Sequence, residues 1–298
     1  MLIAVAAFVV LVGGADFTYD RVVHARHDRW ERTVVKRHAD GLRVGYEDFS
    51  CGTGRVVLLM IHGFAAGPVT FGRMAPELAK RGFACHAMRL PGFGRPMEEY
   101  KKATREQWQA AIRDEISSLR KDHDQVWLVG HSMGGTLATL AALDPSNKVD
   151  GLVLLAPLIE VNSKRSPAFS PRTWFKITDH IVIFTDITQM AFPVDVHDPE
   201  VRANVVRDEF VPRSVYRQLF SLTDSVAGRA SGLRVPVFLA YAESDLVANP
   251  QAACKFVEAA TNAPRSEIIC QANSGHVVTW DYGWELTVEK VAAFINHP

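Results

Sequence analysis

The sequence has no excess of charge of either sign. Lysine and arginine together number 33, as do aspartate and glutamate, so the formal net charge at pH 7 is zero. The basic stripe that marks nucleic-acid binding proteins is therefore not expected. We predict a small, neutral or weakly charged molecule as the partner, and no nucleic acid.

Cysteine is scarce as well. The four cysteines are Cys51, Cys85, Cys254 and Cys270, and they form no Cys-x-x-Cys pair and no Cys/His spacing suited to zinc, so we expect no metal site. Cys85 and Cys270 lie in apolar, strand-like runs, where cysteine is usually a small buried hydrophobe. Free thiols are expected, and a Cys254–Cys270 disulfide stays open as an alternative.

No apolar run is long enough for an ordinary membrane span. Residues 1–14 are all apolar or glycine, but a span needs about 20 such residues. No basic residue precedes the run, which argues against an ordinary secretory signal, whereas several arginines follow it. We interpret residues 1–14 as a weak membrane anchor, with an amphiphilic helix resting on the protein or membrane surface as the alternative. If the run inserts, the charge bias favours the cytoplasmic side for the rest of the chain. Localisation thus stays open between cytoplasmic and membrane-associated, with secretion as a further alternative.

Strand-like and helix-like stretches alternate after this leader. Continuous apolar runs predict buried strands at 56–61, 83–88, 126–129, 151–156, 236–241 and 267–270. Stretches with helical periodicity or composition predict helices at 74–81, 105–121, 133–143, 250–260 and 282–295. This order predicts an α/β fold with a mostly parallel, twisted sheet covered by helices on both faces. Residues 32–36 and 41–46 are also predicted to form a hairpin around Asp40-Gly41.

The pattern changes between residues 158 and 234, where prolines and scattered aromatic residues interrupt short helical pieces. We predict that this stretch is an inserted cap, or lid, over the sheet. The chain would then comprise an apolar N-terminal segment with a basic linker (1–30), a core (31–157 and 235–298) and the cap (158–234).

The most informative motif surrounds Ser132. Residues 130–134 match Gly-x-Ser-x-Gly and lie between an apolar strand and an Ala/Leu-rich helix, as that motif requires. The serine then sits on a sharp turn, where side chains at Gly130 and Gly134 would collide with neighbouring backbone. The turn lifts the hydroxyl clear of the sheet and leaves the amide of Met133 unpaired at a helix N-terminus. We predict that Ser132 is a nucleophile and that the Met133 amide stabilises an oxyanion.

With this motif the sequence resembles the α/β-hydrolase superfamily, whose catalytic residues follow the order Ser, Asp or Glu, His. The resemblance implies His276, after the last predicted strand, as general base, and Asp245, after the preceding strand, as the acid that orients it. Glu243 competes for the role of the acid, but it is expected to lie within the strand, out of reach of the histidine. Asp281 is a weaker alternative because it leads into the last helix.

The same resemblance implies a second oxyanion donor from the loop after an early strand. His62-Gly63-Phe64 follows the strand at 56–61 and matches the His-Gly-X form of that loop. The amide of Phe64 is therefore expected to act together with that of Met133. Gly63 would let the loop approach the serine, and His62 is expected to make structural hydrogen bonds.

Taken together, these motifs are similar to those of bacterial carboxylesterases and monoacylglycerol lipases, over residues 40–298. The resemblance implies a serine hydrolase that cleaves short-to-medium acyl esters or monoacylglycerols through an acyl-enzyme, without a cofactor. It also implies a cap whose apolar lining holds the acyl chain. A thioesterase or lysophospholipase would use the same triad, and a non-catalytic hydrolase-like binding protein is a further alternative. Nothing in the sequence indicates an oligomeric state.

Overall fold

A single large sheet organises the molecule. The structure, a computed structural model, describes residues 2–166 and 168–296, with residues 2–9 as helical backbone only. Met1, Pro167 of the predicted cap, and residues 297–298 of the predicted core lie outside the described residues. The strands in chain order are β1 (Phe49–Cys51), β2 (Val56–Ile61), β3 (Ala84–Met88), β4 (Gln125–His131), β5 (Gly151–Leu155), β6 (Ile187–Gln189), β7 (Phe210–Pro212), β8 (Val237–Tyr241) and β9 (Ser266–Cys270).

Seven of these strands form the sheet, in the order β1-β3-β2-β4-β5-β8-β9. Every neighbouring pair is parallel except β1 with β3. The four central strands, β2, β4, β5 and β8, are buried along nearly their whole length. Their unbroken apolar sequences are what a strand covered on both faces requires. The predicted parallel sheet is confirmed.

Helices cover both faces of this sheet. In chain order they are α1 (Leu2–Thr33), α2 (Met74–Ala79), α3 (Met97–Tyr100), α4 (Arg105–Leu119), α5 (Met133–Ala142), α6 (Pro171–Ile181), α7 (Pro199–Asn204), α8 (Arg213–Val226), α9 (Pro250–Glu258) and α10 (Trp284–Asn296). Helices α4, α5, α8 and α9 bury their apolar residues in a cluster on one face, and α2 and α10 bury theirs on the other.

Local sequence determines how several of these helices begin. Thr104 caps α4 with the predicted capping box, in which its side chain accepts from Gln107 N–H while the Gln107 side chain accepts from Thr104 N–H. Trp108, Ile112 and Ile116 then form the buried stripe of α4. The bounds of the core helices and strands agree with the sequence predictions to within a few residues.

Residues 158–234 contain α6, α7, α8 and a small antiparallel pair, β6 with β7. The antiparallel pair was not predicted, because each of its strands has only three residues. Helix α8 packs against α5, the helix that follows Ser132. The stretch therefore lies beside the serine-bearing edge of the sheet.

The leader is helical, and its helix packs on residues 158–234. Helix α1 continues beyond residue 30 to Thr33, so the predicted basic linker is the second half of the same helix. The Asp16 carboxylate accepts hydrogen bonds from the amides of Ile183, Phe184 and Thr185. None of the described helices is long and apolar enough to cross a membrane.

The hairpin predicted at residues 32–46 is wrong. Helix α1 occupies the first predicted strand as far as Thr33, and a single bridge joins Arg37 to Arg43. The predicted turn is present, with Gly41 at a φ of +83°. Tertiary contacts override the local strand preference, because Trp30 near the end of α1 packs on Phe210 and lies against the Arg43 guanidinium.

The cysteines form no disulfide: all four are free thiols, and Cys270 is exposed at the end of β9. The alternative of a Cys254–Cys270 disulfide is therefore wrong. The structure places both thiols next to the Tyr241 side chain. Burial raises the pKa of the Cys254 thiol, which favours the uncharged form.

Candidate active site

The residues predicted from the motifs meet at one edge of the sheet. Ser132 directly follows β4, Asp245 follows β8 and His276 follows β9. Because these strands are parallel, their carboxyl ends lie at the same edge, which is where open α/β sheets bind ligands. Phe64, in the loop after β2, reaches the same edge.

Ser132 sits on a sharp turn between β4 and α5. Its φ of 54° and ψ of −121° belong to a conformation that residues with side chains rarely adopt. A Cβ at Gly130 would overlap the carbonyl oxygen of Gly134, and a Cβ at Gly134 would overlap that of Ile61. Both glycines are therefore required for the turn to pack against its neighbours, as predicted. Strain of this kind costs about 1–3 kcal/mol and is maintained by the surrounding packing.

Three side chains form a continuous hydrogen-bonded chain. The Ser132 Oγ lies 2.8 Å from His276 Nε2, and His276 Nδ1 lies 2.8 Å from Asp245 Oδ2. With Nδ1–H donating to the carboxylate, Nε2 is left as the acceptor for the serine hydroxyl. All three residues are buried, with exposed fractions of 5% for Ser132, 7% for His276 and 2% for Asp245.

The competing acids point elsewhere. Glu243 lies beyond the end of β8, in an exposed turn, and not within the strand as predicted. Asp281 is fully buried, but its two oxygens accept backbone amides, among them those of Gly275 and His197. Of the three candidate carboxylates, Asp245 alone reaches the imidazole.

Two backbone amides near the serine have no acceptor within the described chain. They belong to Met133, at the N-terminus of α5, and to Phe64, in the loop after β2. The loop approaches the serine closely, since a Cβ at Gly63 would lie 3.0 Å from Ser132 Cβ. Two amides held next to one hydroxyl can stabilise the negative charge that develops on a carbonyl oxygen when the hydroxyl oxygen attacks its carbon.

Two further histidines make structural hydrogen bonds around this site. His62 Nε2 accepts from Leu90 N–H at 3.0 Å and its Nδ1–H donates to Gly63 O at 2.8 Å, as the structural role predicted for it requires. His131 Nε2–H donates to the carbonyl oxygen of His276 at 3.1 Å. Burial is the main cause that lowers the pKa of His62 to about 4 and that of His131 to about 3, so both are neutral at physiological pH.

His276 differs from these two histidines in its electrostatic environment. Burial disfavours its charged form, but the Asp245 carboxylate, helped by that of Asp195, outweighs burial and raises the pKa of His276 above 6.5. Asp195 lies in the segment between β6 and α7, and no motif pointed to it. Its role depends on a tertiary contact between two regions distant in sequence.

A group of potential metal ligands lies elsewhere in the molecule. Asp20, His24 and Asp186 bring three such atoms within 4.8 Å of one another. Lys101 Nζ is 2.7 Å from Asp186 Oδ2, and His24 Nε2 is 2.9 Å from Asp186 Oδ1. Ion pairs and hydrogen bonds thus already engage the Asp186 carboxylate, and the group has no contact with the hydrogen-bonded chain at Ser132.

Comparison with known proteins supports the fold. The family model described as serine aminopeptidase, S33, matches residues 52–281. A thermostable monoacylglycerol lipase from Bacillus sp. (strain H-257) is 24% identical over 84% of this chain and 94% of its own length. A carboxylesterase from Bacillus subtilis (strain 168) is 21% identical over 83% of this chain and 95% of its own length.

A solved structure, that of a monoacylglycerol lipase from Paleococcus ferrophilus, is similar with a TM-score of 0.71 at 18% identity, over 85% of this chain and 99% of that one. At this identity the likeness establishes the α/β-hydrolase fold. The family model covers most of the chain, including Ser132, Asp245 and His276. The chain therefore belongs to the serine aminopeptidase S33 family of α/β-hydrolases, and it is a hydrolytic enzyme.

Proposed function

We propose that this enzyme hydrolyses neutral carboxylic esters, including monoacylglycerols, through an acyl-enzyme on Ser132. The observation that carries the proposal is the buried hydrogen-bonded chain Ser132–His276–Asp245, with two unpaired amides beside the serine. Relatives that match over most of their length are named monoacylglycerol lipase and carboxylesterase. The zero net charge agrees with a neutral substrate.

In the proposed mechanism, His276 Nε2 takes the proton of the Ser132 hydroxyl as its Oγ attacks the ester carbonyl carbon. A serine hydroxyl is a weak nucleophile without such a base. The imidazolium then donates this proton to the leaving alcohol as the carbon–oxygen bond breaks. Water, deprotonated by His276, attacks the acyl-enzyme, and the imidazolium returns the proton to Ser132 Oγ as the carboxylic acid is released. Asp245 holds the tautomer and stabilises the transient imidazolium.

The amides of Phe64 and Met133 are proposed to receive the oxyanion of both tetrahedral intermediates. A donor of this kind contributes about 3–4 kcal/mol to transition-state stabilisation when it is fixed before the reaction. Helix α5 fixes the Met133 amide and adds the positive end of its dipole. The Phe64 ring lies 4.8 Å from that of Tyr216 in α8, which keeps the loop in place.

The cap supplies an apolar cavity of about 490 Å³ on the other side of Tyr216. Its walls come from α1 as well as from residues 158–234, and they include Val12, Ala15, Tyr19, Phe175, Val182 and Tyr216. A volume in this range suits a small ligand. Tyr216 lines the cavity and its ring also packs against that of Phe64. We propose that the cavity receives the acyl chain of the substrate.

Weak membrane association is the second part of the proposal. Residues 1–14 are apolar or glycine, and α1 continues this apolar surface onto the cap, where the Phe17 and Phe184 rings pack edge to face at 5.6 Å. The most exposed apolar residues of this region, Val10, Leu11 and Ile183, are each more than 70% exposed. A lipid surface would cover them and would also be the source of monoacylglycerol.

Binding to phosphatidylcholine vesicles tests the membrane proposal. The double variant Leu11→Asp/Ile183→Asp is expected to lose most of its binding, because two charges would enter the interface. The control is Leu286→Asp, a leucine-to-aspartate change at an exposed position of α10. Equal binding by both variants would contradict the proposal.

Two experiments test the hydrolase function. A fluorophosphonate probe should label the wild-type protein on the tryptic peptide that contains Ser132, whereas a non-catalytic binding protein would not react. Turnover of p-nitrophenyl esters, monoacylglycerols, lysophospholipids and acyl thioesters then identifies the substrate class. Faster turnover of thioesters or lysophospholipids than of neutral esters would replace the proposed substrate and leave the triad in place.

A further inference from the structure

Asp195 is a buried carboxylate outside the predicted triad. It lies between β6 and α7, in the segment that the sequence assigned to the cap, and only 6% of it is exposed. Along the chain it is far from both His276 and Asp245. In the folded molecule it touches the loops that carry them.

One oxygen of Asp195 joins these two loops. Asp195 Oδ2 accepts from Leu246 N–H at 2.8 Å, next to Asp245, and from His276 N–H at 3.1 Å. The other oxygen, Oδ1, lies 3.3 Å from the Arg165 guanidinium. Hydrogen bonds to a charged acceptor are about twice as strong as neutral ones, so this carboxylate fixes both amides firmly.

The backbone of the same segment also holds the His276 loop. The Asp195 carbonyl oxygen accepts from Val277 N–H at 3.3 Å, and a Cβ at Gly275 would lie only 2.5 Å from that oxygen. Glycine at 275 thus allows the close approach. Asp281 completes the connection, since its Oδ2 accepts from both Gly275 N–H and His197 N–H.

We propose that Asp195 is a positioning residue whose carboxylate sets the separation of the Asp245 and His276 loops. The inference rests on the proposed function, in which those two side chains activate Ser132. Because Asp195 belongs to residues 158–234, this region determines the geometry of the triad as well as contacting substrate. Displacements of about 1 Å in reacting groups are known to cost orders of magnitude in rate, so such a link has a measurable effect.

The charge of Asp195 also acts on the imidazole. The groups that face His276 are the carboxylates of Asp245 and Asp195, the Arg165 guanidinium and the neutral ring of His131. Burial lowers the pKa of His276, the two carboxylates raise it and Arg165 lowers it. Removing the Asp195 carboxylate should therefore lower the pKa of His276, and removing the Arg165 guanidinium should raise it.

The test compares Asp195→Ala, Asp195→Asn and Arg165→Gln with the wild type. For each, kcat and KM for a p-nitrophenyl ester are measured across pH, together with the rate at which a fluorophosphonate labels Ser132. Asp195→Ala removes the acceptor and should lower kcat and the labelling rate at least tenfold with little change in KM. Asp195→Asn keeps an acceptor oxygen and should recover most of kcat.

The acidic limb of the pH profile provides the second readout. It should move to lower pH in Asp195→Asn and to higher pH in Arg165→Gln, because the base must be neutral to act. Asp224→Ala is the matched control, since Asp224 is an exposed cap aspartate that pairs with Arg172. This control should keep the wild-type profile.

Three results would overturn the inference. The first is a labelling rate for Asp195→Ala within twofold of the wild type. The second is an acidic limb that does not move in either Asp195→Asn or Arg165→Gln. The third is a loss of kcat in Asp195→Asn as large as that in Asp195→Ala. Failure of the proposed function would look different, because the wild type itself would then resist labelling and hydrolyse no ester. That result would remove the basis of the inference as well.

Discussion

The sheet core and residues 158–234, the proposed cap, differ in the contacts that stabilise them. The core buries continuous apolar strands between two clusters of side chains, one on each face of the sheet. In residues 158–234, by contrast, none of the residues of α6 is buried, although α8 places its apolar face in one of the core clusters. Polar contacts also hold neighbouring segments of this region together. Arg213, for example, donates to the carbonyl oxygens of Val182 and Thr185 and pairs with Asp179.

This difference in packing suits the two regions to different roles. The strand ends of a rigid sheet can hold Ser132, Asp245 and His276 to within fractions of an ångström, which proton transfer requires. A segment such as α6, which buries none of its residues, adjusts more easily to substrates of different size. Asp195 is the exception in residues 158–234, because its carboxylate accepts hydrogen bonds from the loops that carry Asp245 and His276.

Ser132→Ala should have the largest effect on activity of all these variants. It changes the site at the edge of the sheet and leaves residues 158–234 intact. Loss of the nucleophile in a triad typically lowers turnover by several orders of magnitude. The hydroxyl contributes little to packing, so the melting temperature should stay at the wild-type value. Ester turnover above about 1% of wild type would contradict the assignment of the nucleophile.

Asp245→Asn should lower kcat roughly 10⁴-fold, because the amide no longer holds His276 in the useful tautomer. Glu243→Gln is the matched control: the same kind of change at an exposed carboxylate two residues away, where turnover should stay near wild type. The reverse ranking of these variants would transfer the role of the acid to Glu243. Steady-state kinetics on one ester distinguishes the two outcomes.

The substitution Ala15→Phe tests whether the apolar cavity holds the acyl chain. Apolar contact contributes about 0.8 kcal/mol for each methylene buried, so kcat/KM should rise from acetate toward roughly octanoate in the wild type. A phenyl ring at position 15, in the cavity wall, should remove room for about two methylenes and lower kcat/KM for octanoate roughly tenfold, while acetate is unaffected.

Ala25→Phe is the control for that variant, since it makes the same change at an exposed position of α1 outside the cavity wall. Its chain-length profile should match that of the wild type. A flat or falling wild-type profile beyond acetate, or equal profiles for both variants, would show that the cavity does not hold the acyl chain.

The smallest expected effect is in the pH dependence of the wild type. Because the pKa of His276 lies above 6.5, kcat/KM should fall as the pH drops through a midpoint above 6.5. The fall should correspond to one proton, since the pKa values of His62 and His131 lie near 4 and 3. A midpoint below 6.5 would contradict the electrostatic influence assigned to Asp245 and Asp195.

Sequence reasoning was accurate where local chemistry and burial favour the same structure. The strand Val56–Ile61 was predicted to the residue because it is apolar throughout, and so was the start of α4, because Thr104 and Gln107 form its capping box. The glycines at 130 and 134 predicted the turn at Ser132 because no larger residue fits there. The predicted hairpin at residues 32–46 failed because α1 gains its last turns from contacts with Phe210 and Arg43.

The parallel sheet and the core helices could be predicted from the sequence pattern, and the order of Ser132, Asp245 and His276 from the resemblance to the α/β-hydrolase superfamily. The sheet and the helices follow from periodicity and the turn at Ser132 from glycine sterics, which are local or nearly local properties. Three features became visible only in the folded molecule: α1 forms a wall of the apolar cavity, Glu243 is exposed, and Asp195 accepts hydrogen bonds from two distant loops. Those contacts join residues far apart in the chain, and their geometry depends on how whole elements pack, which no local pattern encodes.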